Sequence, residues 1–468
     1  MVQLLGQWSN GSGPVYGQIA TAIEQLVADG VLRPEDQLPP ERALAAALVV
    51  SRGTIVRAFD HLAQLGVVER VQGKGTTISG KPLAANQAPA DFVGERLWMT
   101  DGGAIDLLKA IPAMLPEVRD LVTSIDLSPH AEDLDRAEPL GWWRLREQIA
   151  ALHTRQGMPS TPHQILVTTG AQQALQLVIT TMTRPGDVVL GEDDTWPGLI
   201  DAVRQVGARY EPVKLDDQGI IIDDLEAKMD RYRPSLLAVN PQHQNPTGGR
   251  LPPARVEAIA SLAKKHRVPV LDDRVSADLG FDKRHLPAID EFDTGGYGIT
   301  VGSVGKVAWS GLRLGWIRAD AQIINGLRTP KAVADMATPG LSQLLGLELI
   351  GRYEELASTR VEQLRPAAEL VRETLETELS EWSFAPVRGG LSVWAQMPEN
   401  TSATAFVRHA SHHGVLLASG NEFCAINADC PNIRIPFTAP IDELTEGLRR
   451  VVQAWQTFDR RAVFEAVI

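Results

Sequence analysis

The sequence predicts an α/β fold in more than one domain: a small helical unit closed by a hairpin, then a long body around a mostly parallel sheet. Three observations carry this. The chain has 468 residues, more than one hydrophobic core usually serves. From about residue 104, short apolar runs alternate with longer helical patterns, as parallel strands and their crossover helices do. Ahead of them, helical spacing gives way to two short β-branched runs joined by the glycine-rich turn Gln72-Gly73-Lys74-Gly75.

Composition narrows the classes. A chain that is 44% hydrophobic and 22% charged is ordinary globular material rather than disordered or fibrous. Apolar runs such as Ala43 to Val50 fall far short of the ~20 residues that span a bilayer, so no membrane partner is expected. The N-terminus has no basic start and no long apolar core, so no signal peptide is expected. With only Cys424 and Cys430, a disulfide frame is not expected, and the cytoplasm is the expected compartment. Neither cysteine has metal-ligand spacing with a histidine, so no metal is expected. The net charge of −13 argues mildly against nucleic acid as partner of the whole molecule but leaves room for a local basic face.

In residues 15–29, Val15, Ile19, Ile23, Leu26 and Val27 recur at helical spacing, with Gly30 as stop. A second short helix, 41–48, follows Pro39-Pro40. Ser51 is a good N-cap for a third, about 52–65, ending at Gly66. Val67 to Val71 and Thr76 to Ile78 then read as a hairpin. This is the order of a winged helix-turn-helix, and residues 15–78 closely resemble the GntR DNA-binding domain. The resemblance implies that the third helix enters the major groove of a double-stranded operator by its N-terminal end. Ser51, Arg52 and Thr54 would lie there, Arg42 and Arg57 at phosphates or base edges, and Lys74 on the wing tip. The excess of basic over acidic residues between Glu41 and Gly80 is slight, so the ordered pattern carries this reading rather than the charge. Residues 1–79 are thus expected to form the DNA-binding domain, and 80–103, without strong periodicity, a tether.

Residues 104–468 form the body. Strand-like runs occur at 164–168, 187–190, 236–239, 268–271 and 298–301, and ligands of such sheets sit past the carboxyl ends of the strands. The most informative stretch is Gly302-Ser303-Val-Gly-Lys306-Val-Ala-Trp-Ser-Gly-Leu-Arg313. Its small residues allow close approach of a bulky ligand, Ser303 and Arg313 suit a phosphate, and Lys306 can condense with an aldehyde. Thr168-Thr-Gly170-Ala171-Gln172 places backbone N–H groups at a helix start, which favours an anion. Trp196, beside Pro197-Gly198, offers a flat face to an electron-poor ring. Asn240-Pro-Gln-His243-Gln-Asn245-Pro-Thr-Gly248 is a turn-rich loop. Asp272 ends an apolar strand, where a carboxylate is costly unless paired.

These segments, in this order, resemble the fold-type I aminotransferase-like domain of the MocR branch of GntR regulators, over nearly the whole chain. The resemblance implies pyridoxal 5′-phosphate (PLP), attached to Lys306 as a Schiff base. Gly170, Ala171, Gln172, Ser303 and Arg313 would hold its phosphate, Trp196 would stack on its ring, and Asn245 would donate to its phenolic oxygen. Asp272 would pair with its ring nitrogen. His243 would orient the loop, or is simply a buried histidine. The family usually has tyrosine two residues after the aspartate. Arg274 stands there instead: either its guanidinium holds the phenolic oxygen, or it points away and the contact is lost. In a small α+β C-terminal subdomain, Arg434 matches the arginine that grips an amino-acid carboxylate. The implied protein is a regulator sensing PLP or an amine or amino-acid effector, as a head-to-tail homodimer. The alternatives are an active aminotransferase with a DNA-binding appendage and a PLP-free dimerisation scaffold.

Overall fold

A computed structural model of the chain describes residues 15–28, 32, 36–48, 50–64, 67–71, 75–78, 97, 103–282, 284–425 and 430–458. The chain divides into two compact units, residues 1–92 and 93–468.

The first unit contains α1 (Val15–Ala28), α2 (Glu41–Leu48), α3 (Arg52–Gln64) and the antiparallel pair β1 (Val68–Val71) and β2 (Gly75–Ile78). Ile19 and Ile23 of α1, Leu44 of α2, and Ile55, Phe59 and Leu62 of α3 close one small core, as their 3–4-residue spacing requires. Ser51 caps α3: its Oγ accepts from the Thr54 N–H at 3.1 Å and lies 2.8 Å from Thr54 Oγ1.

The second unit has two main sheets. The strands are β3 (Ile105–Leu107), β4 (Ile165–Thr168), β5 (Val188–Glu192), β6 (Arg209–Val213), a small hairpin β7 (Leu215–Asp216) and β8 (Gly219–Ile220), β9 (Leu236–Val239), β10 (Val270–Asp273), β11 (Gly298–Ser303), β12 (Gly315–Ala319), β13 (Ser383–Phe384), β14 (Ser392–Gln396), β15 (Val415–Ser419) and β16 (Asn432–Pro436). The large sheet has the order β4-β12-β11-β10-β9-β5-β6, all parallel except β12. The small sheet runs β13-β14-β16-β15-β3. Helices α4 (Ala171–Met182), α5 (Pro197–Gln205), α6 (Ile222–Tyr232), α7 (Pro253–His266) and α8 (Ala321–Asp335) cover the large sheet. Because side chains alternate along a strand, one sheet feeds two cores. Leu166, Leu271 and Val301 pack with α4 and α5, whereas Leu190, Leu237 and Val270 pack with α6 and α7. No helix among the described residues is long and apolar enough to cross a membrane.

Candidate functional site

A cavity of about 490 Å³ lies between the carboxyl ends of the large sheet and the small sheet, in the range of ~300–1,000 Å³ usual for small-ligand sites. Lys306 lies on its wall, in a π-helical turn (Gly305–Trp309) just past β11. Its Nζ donates to the Ala110 carbonyl at 2.9 Å. Burial, helped by Arg434 and Arg313, pulls its pKa down to about 8, while Asp273 acts the other way. A half-buried amine of lowered pKa is a usable nucleophile near neutral pH.

One end of the cavity is a cradle for an anion. Gly170, at φ +84°, opens α4, and the first N–H groups of that helix have no intrahelical acceptor. Arg313, itself left-handed at φ +55°, donates to the Thr169 carbonyl at 3.2 Å. A Cβ on Gly170 would fall 2.8 Å from the Arg313 guanidinium, so glycine is what lets the cation reach the helix start. Gly315 makes the same demand: a Cβ there would lie 2.7 Å from the Gly170 carbonyl carbon. Gly315 is paired with Ser303 on one side and Thr168 on the other, so the sheet sets Ser303, Arg313 and the helix start together. The Ser303 hydroxyl donates to the Leu314 carbonyl at 2.8 Å and accepts from the Gly305 N–H at 3.0 Å. Gly170, Ala171, Gln172, Ser303, Lys306 and Arg313 all line the cavity. Gln172 also steers the indole: Trp196 Nε1 donates to its Oε1 at 2.8 Å, and its Nε2 donates to the Gly198 carbonyl at 2.9 Å.

The carboxylate in the cavity is Asp273, and the expectation for Asp272 is corrected. Along β10, Leu271 and Asp273 face the cavity, and Val270 and Asp272 face the other core. A register error of one residue reverses every side chain of a strand. Asp272 is buried, and its Oδ2 accepts from the Ile289 N–H at 3.0 Å. Asp273 accepts from the Val275 N–H at 3.1 Å, and burial raises its pKa to about 6, with Lys306 opposing. Arg274 is corrected with it. Its guanidinium donates to the Leu286 carbonyl at 3.1 Å, away from the cavity, which Val275 and Ser276 line instead.

Asn245 and Arg434 meet on the opposite wall. Arg434 is 1% exposed on the central strand β16, with its guanidinium 4.5 Å from the centre of the Phe423 ring. It donates to Asn245 Oδ1 at 3.1 Å and to the Leu108 carbonyl, and burial lowers its pKa to about 10. Asn240, a residue that sequence reasoning passed over, holds this wall to β10. Its Nδ2 donates to the Asp273 carbonyl at 2.6 Å, and its Oδ1 accepts from the Asn245 N–H at 3.1 Å. Glu192 is a second such residue: its Oε2 accepts from the Asn240 N–H at 3.0 Å. Polar residues at or just past the ends of strands β5 and β9 are the signal that points to both. His243 is buried, lines the cavity, and is held neutral, its pKa drawn down to about 3 by burial and then by Arg250.

In the first unit, Arg42, Ser51, Arg52 and Arg57 are exposed, and Thr54 is half-buried. Ser51, Arg52 and Thr54 cluster at the start of α3, where Arg52 pairs with Glu41 at 3.1 Å. Lys74 lies outside the described residues.

This geometry is that of a PLP-fold body on the same chain as a winged helix-turn-helix, and comparison with known proteins agrees. Residues 139–451 match the family "Aminotransferase class I and II", and residues 15–78 match "Bacterial regulatory proteins, gntR family". The chain belongs to the class I and II aminotransferase family and, with its GntR unit, has the MocR architecture. It is 25% identical over 461 residues to YdfD, described as an uncharacterized HTH-type transcriptional regulator of Bacillus subtilis (strain 168), covering 93% of this chain and 95% of that one. It is 33% identical over 303 residues to a 2-aminoadipate transaminase of Thermus thermophilus, covering 63% of this chain and 75% of the relative. The crystal structure of LysN, an alpha-aminoadipate aminotransferase from Thermus thermophilus complexed with N-(5′-phosphopyridoxyl)-L-leucine, aligns with TM-score 0.72 at 27% identity, over 80% of this chain and 96% of that one.

Proposed function

We propose that the chain is a PLP-dependent transcriptional regulator whose cavity reads PLP or an amine or amino-acid effector and whose first unit reads an operator. One observation carries this reading: a half-buried lysine, an anion cradle, a half-buried carboxylate and a buried arginine surround one cavity in a chain that also holds a capped α3 with exposed arginines. The residues fit the cofactor. Bound there, PLP supplies an aldehyde that condenses with amines and a ring that draws electrons. Lys306 Nζ would be the nucleophile. Arg313, Ser303 and the α4 N-terminus would hold the phosphate, and Trp196 would cover the ring. Asp273 would pair with the ring nitrogen and favour its protonated form. Asn245, its Oδ1 taken by Arg434, would have its amide N–H free for the phenolic oxygen. The side chain of Val275, two residues after Asp273, offers no hydrogen bond where the family usually has tyrosine, which favours sensing over rapid turnover.

Arg434 receives the carboxylate of an amino acid as a fork, in exchange for the Leu108 carbonyl. The effector regulates DNA binding only by the difference in its affinity for two arrangements of the chain. A head-to-tail homodimer would present two α3 helices to paired half-sites, and the cytoplasm is the matching compartment. The identity to a transaminase keeps a second reading in play, an active aminotransferase with a DNA-binding appendage. Sustained turnover of an amino acid with a 2-oxo acid would establish it.

Two outcomes test the reading. Because Lys306 must be neutral to attack, PLP capture should speed up with rising pH and level off above about 8. Stopped-flow absorbance checks this, and a rate still climbing beyond the ordinary lysine value of 10.5 contradicts it. Arg52→Ala should weaken operator binding by ~5- to ~150-fold, the ~1–3 kcal/mol of a base-reading arginine. Its exposed pair with Glu41 contributes ~0–1 kcal/mol, so the fold should survive. Equal affinity in gel-shift titrations would remove Arg52 from the interface.

A further inference from the structure

We propose that Asp194, Cys424 and Cys430 form a site for a thiophilic divalent cation, with zinc the best match. One carboxylate oxygen and the two Sγ atoms lie within 4.8 Å of one another. A tetrahedral zinc, with Zn–S ~2.3 Å and Zn–O ~2.0–2.2 Å, needs ligand atoms within that span of one another. Two thiolates select zinc over magnesium or calcium, and three protein ligands leave one position for water.

The backbone presets the arrangement. Asp194 and Cys424 face each other in a β-bridge, and Cys424 Sγ donates to Asp194 Oδ1 at 2.9 Å. The bridge is continued on both sides: the Thr195 N–H donates to the Phe423 carbonyl at 2.9 Å, and the Ala425 N–H to the Asp193 carbonyl at 2.8 Å. Cys430 is anchored separately, its N–H donating to Asn421 Oδ1 at 2.8 Å. Its sulfur occupies space that only a glycine leaves, since a Cβ on Gly420 would fall 2.5 Å from it. Asn432 Oδ1 lies 3.5 Å from Cys430 Sγ, and the Trp394 side chain hydrogen-bonds to Asp194. Each thiol releases its proton to water as its S–metal bond forms, two protons per ion, while the carboxylate binds as the anion.

The position gives the ion something to do. Asp194 is two residues from Trp196, which lines the cavity, and Cys424 follows Phe423, whose ring lies against Arg434. An ion here fastens the turn after β5 to the turn after β15, joining the two walls of the cavity. Neither cysteine has ligand spacing with a histidine in the sequence, because the third ligand stands 230 residues before Cys424.

The test uses the reduced full-length protein with zinc alone, without PLP, so its outcome is independent of the cofactor reading. The expected result is one zinc per chain after dialysis, with both cysteines shielded from a thiol reagent. Asp194→Asn, which keeps shape and removes the anionic ligand, should weaken zinc at least ~10-fold, and Cys430→Ser at least as much. Unchanged thiol reactivity of the wild-type chain in zinc overturns the proposal without any variant. So do zinc binding that both substitutions leave intact and a Cys424–Cys430 disulfide that persists under reductant.

Discussion

Asp273→Ala is expected to weaken PLP binding by ~100-fold or more, whereas Asp272→Ala should leave it nearly unchanged. Asp273 lies half-buried on the cavity wall beside Lys306, and desolvation lifts its pKa to about 6. A protonated ring nitrogen would relieve that burial, and removing one member of a buried pair costs ~3–5 kcal/mol. Asp272, on the other face of β10, accepts from Ile289 and feels Arg274. Its loss should lower the unfolding midpoint instead. Absorbance titration and thermal unfolding of both variants check this. Cofactor loss confined to Asp272→Ala would restore the register read from the sequence.

Arg434→Ala should leave PLP capture in place and lower affinity for a carboxylate-bearing effector by at least ~30-fold. Losing one partner of a buried charged pair costs ~2–5 kcal/mol, and Arg434 is 1% exposed on the wall facing Lys306. The same substitution should not change the response to an amine without a carboxylate. Spectral titration with an amino acid and its decarboxylated amine separates the two. Equal losses for both ligands would mean that Arg434 only shapes the wall.

Much of this was legible in the sequence because its signals are periodic or local. The spacing of Ile19, Ile23 and Leu26, the cap at Ser51 and the hairpin around Gly75 place the helices and strands of the first unit to within a residue or two. The Lys306 segment is local too, and its Arg313 makes the close approach at Gly170. What failed was orientation at a strand end. Asp272 and Asp273 are adjacent carboxylates, and composition alone does not say which faces the ligand. The alternation of Leu271 with Val270 between two cores does. Arg274 was misplaced by the same single step. Asn240 and Glu192 escaped notice because their work is tertiary, holding the Asn245 loop to the ends of β5 and β10. The Asp194–Cys424–Cys430 cluster escaped for a related reason, since a bridge between distant turns leaves no spacing in the chain.

The most direct measurement is borohydride reduction of the purified protein incubated with PLP, followed by peptide mass mapping. The expected result is one phosphopyridoxyl group per chain, on the peptide containing Lys306, and none in Lys306→Ala. Modification spread over surface lysines, with Lys306 left bare, would contradict the reading of the cavity and of everything built on it.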